Sequence, residues 1–309
     1  MNPLFTILTP TFNRAHTIGR VYNSLCAQSF TDFEWLVIDD GSTDGTRTLI
    51  EEWRKEADFP IRYEWQVNGH KKVAFNHGVR LCKGRWLLPA DSDDEFPPEA
   101  LERFVDAWEA IPVEERSGFV GVCGLCESET GKIVGNRFPG DWGVDSDSME
   151  IRYRYKVRGE KWGFSRVDVL REFPYPEKIA GNVPESVVWS SVALRYKTRF
   201  INKVVRVYHQ DSGNQVTGGG GNPAANAAGT LLWKKCVLET ELDWFWFAPR
   251  HFLFEGMRWV RFWLHVSAFS TKKQCFVPNG VKSKLLIGLG LPGGVAMYLW
   301  DRYGRRTSQ

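Results

Sequence analysis

Little in this 309-residue chain points to nucleic acid, to a secretory route or to a membrane span. The formal net charge is only +3, too small to mark the chain as a nucleic-acid binder. No secretory leader is visible. Met1 runs almost at once into the apolar stretch Phe5-Thr6-Ile7-Leu8-Thr9, which sets the expectation of a cytoplasmic protein with reduced thiols. Cysteine is scarce: six residues, of which only Cys123 and Cys126 form a CxxC. There is no second CxxC and no histidine pair at zinc spacing. Two readings of the pair remain, a redox couple or two thiols of the apolar run from Phe119 to Cys126. No GxGxxG follows a predicted strand, which argues against a dinucleotide-dependent dehydrogenase. The apolar stretch Leu285 to Trp300 falls short of the ~20 residues a spanning helix needs, and it is interrupted by Pro292, Gly293 and Gly294. No internal repeat is evident.

What is present is an ordinary globular balance, 43% hydrophobic and 25% charged, in a chain long enough for one large α/β domain with an appendage or for two modest domains. Charge is unevenly spread. From Pro249 onward ten Lys and Arg face only Glu255 and Asp301, so this region is near +8 and the part before it near −5. Such asymmetry suggests a tail that meets something anionic.

The N-terminal third alternates strand and helix patterns. Apolar runs at Phe5–Thr9, Glu34–Ile38, Ile61–Gln66 and Arg85–Pro89 read as strands. Helical spacing follows at Ile18–Cys26, Thr46–Lys55 and Val73–Leu81. Strands alternating with helices of about ten residues imply a mostly parallel sheet flanked by helices, with ligands at the carboxyl ends of its strands. Further strand candidates are Phe119–Gly124, Lys132–Gly135 and Ile201–Tyr208, and Glu185–Arg195 is helical in pattern. Gly218 to Gly221 reads as a mobile loop.

The most informative segment is Leu87-Leu88-Pro89-Ala90-Asp91-Ser92-Asp93-Asp94-Glu95. A buried strand here delivers several carboxylates at its carboxyl end. Asp91 and Asp93 face one way if the chain stays extended, and they repel each other unless a cation lies between them. Mg²⁺ or Mn²⁺, which take oxygen ligands and bridge carboxylates to diphosphates, suit the pair. Helix capping accounts for Asp94 and Glu95, but not for the tight Asp-Ser-Asp at a strand end.

Four pieces together resemble glycosyltransferase family 2, of the nucleotide-diphospho-sugar transferase (GT-A) fold. They are Thr9-Pro10-Thr11-Phe12-Asn13-Arg14, Val37-Ile38-Asp39-Asp40-Gly41-Ser42-Thr43-Asp44, Asn76-His77-Gly78-Val79 and Asp91-Ser92-Asp93-Asp94. The resemblance covers roughly residues 4 to 110. It implies an α/β fold, a Rossmann-like, mostly parallel sheet flanked by helices, to which the tail's own composition adds a helical, aromatic and basic appendage. It implies a nucleotide-sugar site, typically for UDP-sugars, formed by Pro10, Thr11, Asn13, Arg14, Asp39, Asp40, Asn76, Asp91 and Ser92. Pro10 and Thr11 would lie along base and ribose, Asp40 would accept from the base, and Asp39 would brace the turn. Asp93 would be the direct metal ligand and Asp91 would lie nearer the ribose. Many relatives carry Arg two residues before the asparagine, where this chain has Ala74. Lys71 and Lys72 either supply that charge to the diphosphate or are a solvated pair. A nucleotidyltransferase of similar fold would carry a Gly-rich basic loop after its first strand, and Thr9–Arg14 has no glycine. A non-catalytic nucleotide-sugar-binding relative is the other alternative.

Inverting sugar transfer needs a base for the acceptor hydroxyl. In the family this is an acidic residue at a helix start, often in an Glu-Asp pair. Glu185 in Val183-Pro184-Glu185-Ser186-Val187-Val188-Trp189 has that register, with Ser186 replacing the second acid. A plain N-terminal helix glutamate is the competing reading. Lys161–Phe164, Phe173–Glu177 and Tyr196–Arg199 look like a bacterial subgroup and are expected to shape an acceptor pocket. His209 or Asp211 either completes the metal or phosphate contacts or lies on the surface. The glycine loop is either a lid or a tether.

The domain expectation is a catalytic domain over 1–215, with a nucleotide-sugar-binding half over 1–110 and an acceptor and catalytic-base half over 111–215, then a glycine-rich loop over 216–232 and a helical tail over 233–309. That tail is aromatic and basic: Trp244, Phe245, Trp246, Phe247, Trp259, Phe262 and Trp263 alternate with Arg258 and Arg261. It is a helical subdomain, a surface lying in lipid headgroups, or a true or re-entrant membrane span; indole rings with Lys and Arg favour the lipid surface. The function expected is inverting transfer from a UDP-sugar to a hydroxyl acceptor. That acceptor would be a glycan or lipid-linked glycan on a polyprenyl diphosphate in cell-surface polysaccharide synthesis. The protein would sit peripherally at the inner face of the membrane, with no nucleic-acid partner.

Overall fold

Strands β1 (Phe5–Thr11) and β2 (Phe33–Asp39) are buried almost throughout, as strands covered on both faces must be. The computed structural model describes residues 2–209, 223–269 and 276–304. β3 (Ile61–Trp65) and β4 (Trp86–Pro89) flank them in parallel register, so that Thr11 lies beside Asp39 and Leu8 beside Pro89. Three helices connect these strands: α1 (Gly19–Cys26), α2 (Thr46–Glu56) and α3 (Lys71–Leu81). α3 crosses β1 so closely that a Cβ on Gly78 would stand 2.2 Å from Leu8 Cδ1. The glycine of the Asn76-His77-Gly78 motif is therefore a packing requirement.

After α4 (Ala100–Glu109) the sheet continues with β5 (Phe119–Ser128), β6 (Gly143–Ser146), β7 (Lys161–Arg166) and β8 (Lys197–Tyr208). The order is β3-β2-β1-β4-β7-β5-β8-β6. β7 enters antiparallel between β4 and β5, while β5 and β8 are parallel. Short helices α5 (Ser148–Tyr153) and α6 (Val167–Glu172) flank β7 in sequence. The core is unusually aromatic: Trp86 stacks on Phe164 at 4.5 Å and meets Phe5 edge-on at 5.0 Å, and Trp162 stacks on Phe96 at 5.0 Å. Such pairs add about 0.5–1.5 kcal/mol each beyond area burial.

Several expectations are revised here. Lys161–Phe164 is a core strand, with Trp162 and Phe164 buried, so it does not line a pocket. Lys132–Gly135 makes one bridge, Ile133 with Glu127; Gly131 and Gly135, both at positive φ, leave no extended run between them. Cys123 and Cys126 lie three apart on β5, hence on opposite faces. Cys126 is buried and Cys123 half-buried, and burial pushes both thiols up to about 12, which suits inert thiols of an apolar strand and not a redox couple.

The chain divides into two units, Met1–Pro174 with Arg195–Asn214, and Tyr175–Leu194 with Gln215–Gln309. The second unit holds α7 (Ser186–Ala193), α8 (Ala227–Thr240), α9 (Pro249–Phe269) and α10 (Val281–Tyr303). α8 starts inside the span expected to be a loop; Gly218–Gly221 and Asp211 lie outside the described residues. Ile179, Val183 and Val187 pack with Leu232 and Trp233 of α8. Lys234 and Glu255, both nearly inaccessible, pair at 2.8 Å between α8 and α9. No helix among the described residues is long and apolar enough to cross a membrane.

Candidate active site

Two polar loops leave the carboxyl ends of β1 and β2 and fasten each other. Asn13, at φ 54, accepts from the Thr43 N–H at 2.8 Å and its own N–H donates to Ser42 Oγ at 2.8 Å. The Arg14 N–H donates to Thr46 Oγ1 at 3.1 Å. The Asp39 carboxylate accepts from the Ser42 N–H at 2.7 Å and from the Tyr63 hydroxyl at 2.6 Å. Both of its oxygens are thus engaged by the protein. Gly41 completes the turn at φ +92, in the left-handed region that favours glycine.

Asp40 is held differently. Its Oδ1 accepts from Gln66 Nε2 at 2.7 Å and from the Gly69 N–H at 2.8 Å, and Gln66 is itself bonded to His77 Nδ1 at 2.8 Å. Oδ2 makes no hydrogen bond among the described residues and remains an acceptor on a fixed carboxylate. Nearby in the sheet, the buried Thr11 Oγ1 has no hydrogen-bond partner among the described residues. An orphaned buried hydroxyl is costly unless something else bonds it. Pro10, opposite Ile38 in β1, precedes it. Gln66 and His77 were missed as site residues. Their signal in the sequence was position alone: Gln66 ends the third strand pattern, and His77 lies inside the Asn-His-Gly motif.

The acidic segment after β4 sorts its carboxylates into separate roles. Asp94 is buried, pairs with Arg206 of β8 at 2.6 Å and accepts from the Asp91 N–H at 2.9 Å, so it fixes the turn that presents its neighbours. Burial pushes the Asp94 carboxyl up to about 7, against the downward pull of Arg206. Asp91 pairs with Lys71 Nζ at 2.7 Å. Burial would raise its pKa, but the charge of Lys71 and its hydrogen bond, aided by Arg206 and Arg14, hold it below the ordinary carboxylate value. Ser92 is buried. The half-buried Asp93 makes no hydrogen bond or ion pair among the described residues, so its carboxylate is open to a cation. Among the described residues no cluster of three or more His, Cys, Asp or Glu could hold a metal unaided. One free carboxylate fits an ion such as Mg²⁺ that takes its other oxygens from a diphosphate and water.

Of the two lysines, Lys71 opens α3 and faces Asp91, whereas Lys72 is buried on the same helix beside buried Asn76. They are not a solvated pair. His209 does not join Asp91 and Asp93. Its Nε2 lies 2.7 Å from Glu95 Oε2 and its Nδ1 contacts Glu129, so both ring nitrogens are taken. With the Val207 N–H donating to Glu95 O at 2.7 Å, His209 and Arg206 clip the end of β8 to the acidic segment. Glu185 belongs to the second unit, exposed at the N-terminus of α7. Ser190 of that helix donates to the fully buried Glu241 at 2.5 Å.

The comparisons with known proteins point the same way as this geometry. A curated relative from Campylobacter jejuni, a GalNAc(5)-diNAcBac-PP-undecaprenol β-1,3-glucosyltransferase, is 26% identical over 78% of this chain and 75% of its own. Escherichia coli chondroitin synthase is 38% identical, over 34% of this chain and 15% of its own. Among solved structures, Staphylococcus aureus TarS 1-349 in complex with UDP-GlcNAc superposes with a TM-score of 0.66 at 19% identity, covering 97% of this chain and 92% of that one. A mannosyltransferase from Pyrobaculum calidifontis, in complex with GDP-Man and Mn²⁺, gives 0.51 at 17% identity, covering 97% and 88%. At such identities these likenesses speak for the fold. The model of glycosyl transferase family 2 matches residues 6–167, more than half of the sequence, and the chain belongs to that family.

Proposed function

We propose that the protein is a metal-dependent, inverting glycosyltransferase that uses a UDP-sugar. Its acceptor is a hydroxyl of a glycan carried on a polyprenyl diphosphate, in cell-surface polysaccharide synthesis at the inner face of the membrane. The observation that carries this reading is the set of unfilled bonding positions at the ends of β1, β2 and β4: Thr11 Oγ1, Asp40 Oδ2 and the Asp93 carboxylate. A nucleoside diphosphate offers each a complement, an N–H for Asp40, polar ribose atoms for Thr11 and a metal-bound diphosphate for Asp93. The Campylobacter relative, matched along most of both chains, acts on an undecaprenyl-linked glycan and supports the acceptor class. The TarS complex with UDP-GlcNAc supports the donor class, and the mannosyltransferase complex with Mn²⁺ supports the metal.

In this reading Asp40 and the Gln66–His77 pair bind and orient the base. Lys71 exchanges Asp91 for a phosphate oxygen when donor arrives. Asp93 would hold a Mg²⁺ or Mn²⁺ ion, which when bound would supply Lewis-acid neutralisation of the leaving diphosphate. Glu185 takes the acceptor hydroxyl proton as that oxygen bonds to the anomeric carbon and the bond from that carbon to UDP breaks. Only one acid stands at this register, so no second carboxylate replaces it.

The test is sugar transfer and UDP release from a panel of UDP-sugars, with Mn²⁺ and with EDTA. Asp93→Asn and Glu185→Gln are each expected to lose about a hundredfold or more in kcat. Near-normal turnover by either variant removes that residue from the mechanism, and full turnover in EDTA removes the metal.

A further inference from the structure

α10 is apolar on two opposite sides, and among the described residues only one of them is packed against the rest of the chain. Its inner side carries Ser283, Leu286, Gly290 and Gly294, all buried. A Cβ on Gly290 would stand 2.6 Å from Met257 N, and one on Gly294 2.5 Å from Met257 O, so α9 and α10 touch backbone to backbone. Ser283 Oγ donates to Leu238 O at 2.5 Å, and Asp301 binds Arg261 at 2.5 Å and His265 at 3.0 Å. This side is closed and its orientation is fixed.

The opposite side repeats every three or four residues from Val281 through Leu285, Leu289, Pro292 and Ala296 to Leu299 and Tyr303, all exposed. Val281 is 74% exposed, Leu285 63%, Leu289 69% and the adjoining Trp300 69%. A helix apolar all round is normally buried all round. A continuous exposed stripe along six turns goes beyond the scattered surface leucines any protein shows.

The charges of the hairpin are sorted by side. Both of its acids are turned inward and paired, Glu255 with Lys234 and Arg258, Asp301 with Arg261 and His265. Lys282, Lys284 and Arg302 on α10, and Arg250 and Arg258 on α9, are exposed. The stripe is therefore rimmed by cations with no exposed acid on either helix. That pattern is complementary to an anionic lipid surface. It does not suit a second copy of the same basic hairpin, whose charges would repel.

We infer that α10 lies flat in the headgroup layer of an anionic bilayer, with the Val281–Tyr303 stripe in the acyl boundary and Lys282, Lys284 and Arg302 at the phosphates. Interfacial helices bind by this combination of apolar burial and basic charge. The inference rests on the proposed function only in that a lipid-linked acceptor would be met there; the binding itself needs no donor or acceptor.

The experiment is co-sedimentation of the full chain with vesicles of phosphatidylcholine alone or mixed equally with phosphatidylglycerol. A UDP and Mn²⁺ thermal shift on each protein serves as the check of fold and donor site. The parent is expected to bind the mixed vesicles and to release in high salt. Leu285→Glu with Leu289→Glu should cut partitioning at least about tenfold, and Lys282→Gln with Lys284→Gln about fivefold per lysine, with the UDP shift unchanged. No sedimentation of the parent overturns the inference. So does equal sedimentation of the leucine variant, or a parent oligomer that this variant dissociates, which would make the stripe a self-interface. Should the leucine variant fail to fold, the lysine variant and the salt series decide. A parent that binds vesicles but shows no UDP shift sinks the donor reading and leaves this one standing.

Discussion

The sheet unit and the helical unit both contain close-approach glycines and buried ion pairs, but they spend them on different ends. In the sheet unit, Gly78 lets α3 reach β1, and the Asp94–Arg206 pair fixes a turn whose neighbour Asp93 is left open. The rigid groups there surround unfilled hydrogen-bonding positions. In the helical unit, Gly290 and Gly294 let α10 reach α9, and the Asp301–Arg261 pair locks the rotation of α10. The rigid groups there hold an apolar stripe outward. What a scaffold is for can thus be read from what it leaves unsatisfied: polar valences in one unit, hydrocarbon in the other.

The comparison is tested most severely at Arg206. Arg206→Met leaves Asp94 buried without its partner, at an expected cost of about 3–5 kcal/mol. Chemical denaturation followed by UDP titration checks it. Stability and UDP binding should fall together, because the same turn carries Asp91 and Asp93. The helical counterpart is Gly290→Leu, which forces a side chain against the backbone of α9 and should cost about 2–3 kcal/mol. Here the two readouts should separate, with UDP affinity kept and vesicle binding lost. If both variants lose UDP binding equally, the division of labour is wrong.

Asp301 gives a smaller effect with a defined pH window. Burial would raise its pKa, but Arg261 and His265 hold it below the usual carboxylate range. A carboxyl whose folded pKa is depressed stabilises the fold fully above its unfolded pKa of about 3.9, and that contribution is lost as pH falls through the folded value. Melting of the hairpin should therefore steepen below about pH 4. Asp301→Asn should remove that steepening and cost about 2 kcal/mol at neutral pH, the range for a hydrogen bond to a charged group. Helix content followed against pH for the two proteins is the measurement.

Much of the sheet unit was legible in the sequence because its signals are local. Strands β1 to β4 each announce themselves by an apolar run and a polar break, and α3 was missed only by its first two residues, Lys71 and Lys72. β6 and β7 were not legible. Gly143–Ser146 is four residues of mixed polarity, and β7 is set by pairing with β4 and β5, partners some 40 to 80 residues distant, which no local pattern encodes. The acidic segment could be found as a cluster but not sorted. That Asp94 is structural depends on Arg206, 112 positions away. His209 was read as a candidate ligand for the same reason, since Glu95 and Glu129, which occupy it, adjoin it only in space. In the tail, composition gave the aromatic and basic character, but the side on which each kind of residue falls required the α9–α10 contact.

The finest test returns to Asp40. Its Oδ1 is saturated by Gln66 and the Gly69 N–H, so the carboxylate cannot rotate to trade oxygens, and Oδ2 alone is offered outward. An N–H of a base placed there gains an acceptor already oriented, without paying to order it. Asp40→Asn keeps the shape. If its amide oxygen stays on the Gln66 side, where both partners are donors, an NH₂ turns outward and confronts the base with a donor. Affinity for UDP should drop about tenfold, roughly 1.4 kcal/mol, while stability changes little. A nucleoside diphosphate presenting an acceptor at that position should lose less, so the ratio of the two affinities, measured calorimetrically, is the quantity to follow. An unchanged ratio would mean that Asp40, like Asp39, only braces the turn, and that base selection in the sheet unit lies elsewhere.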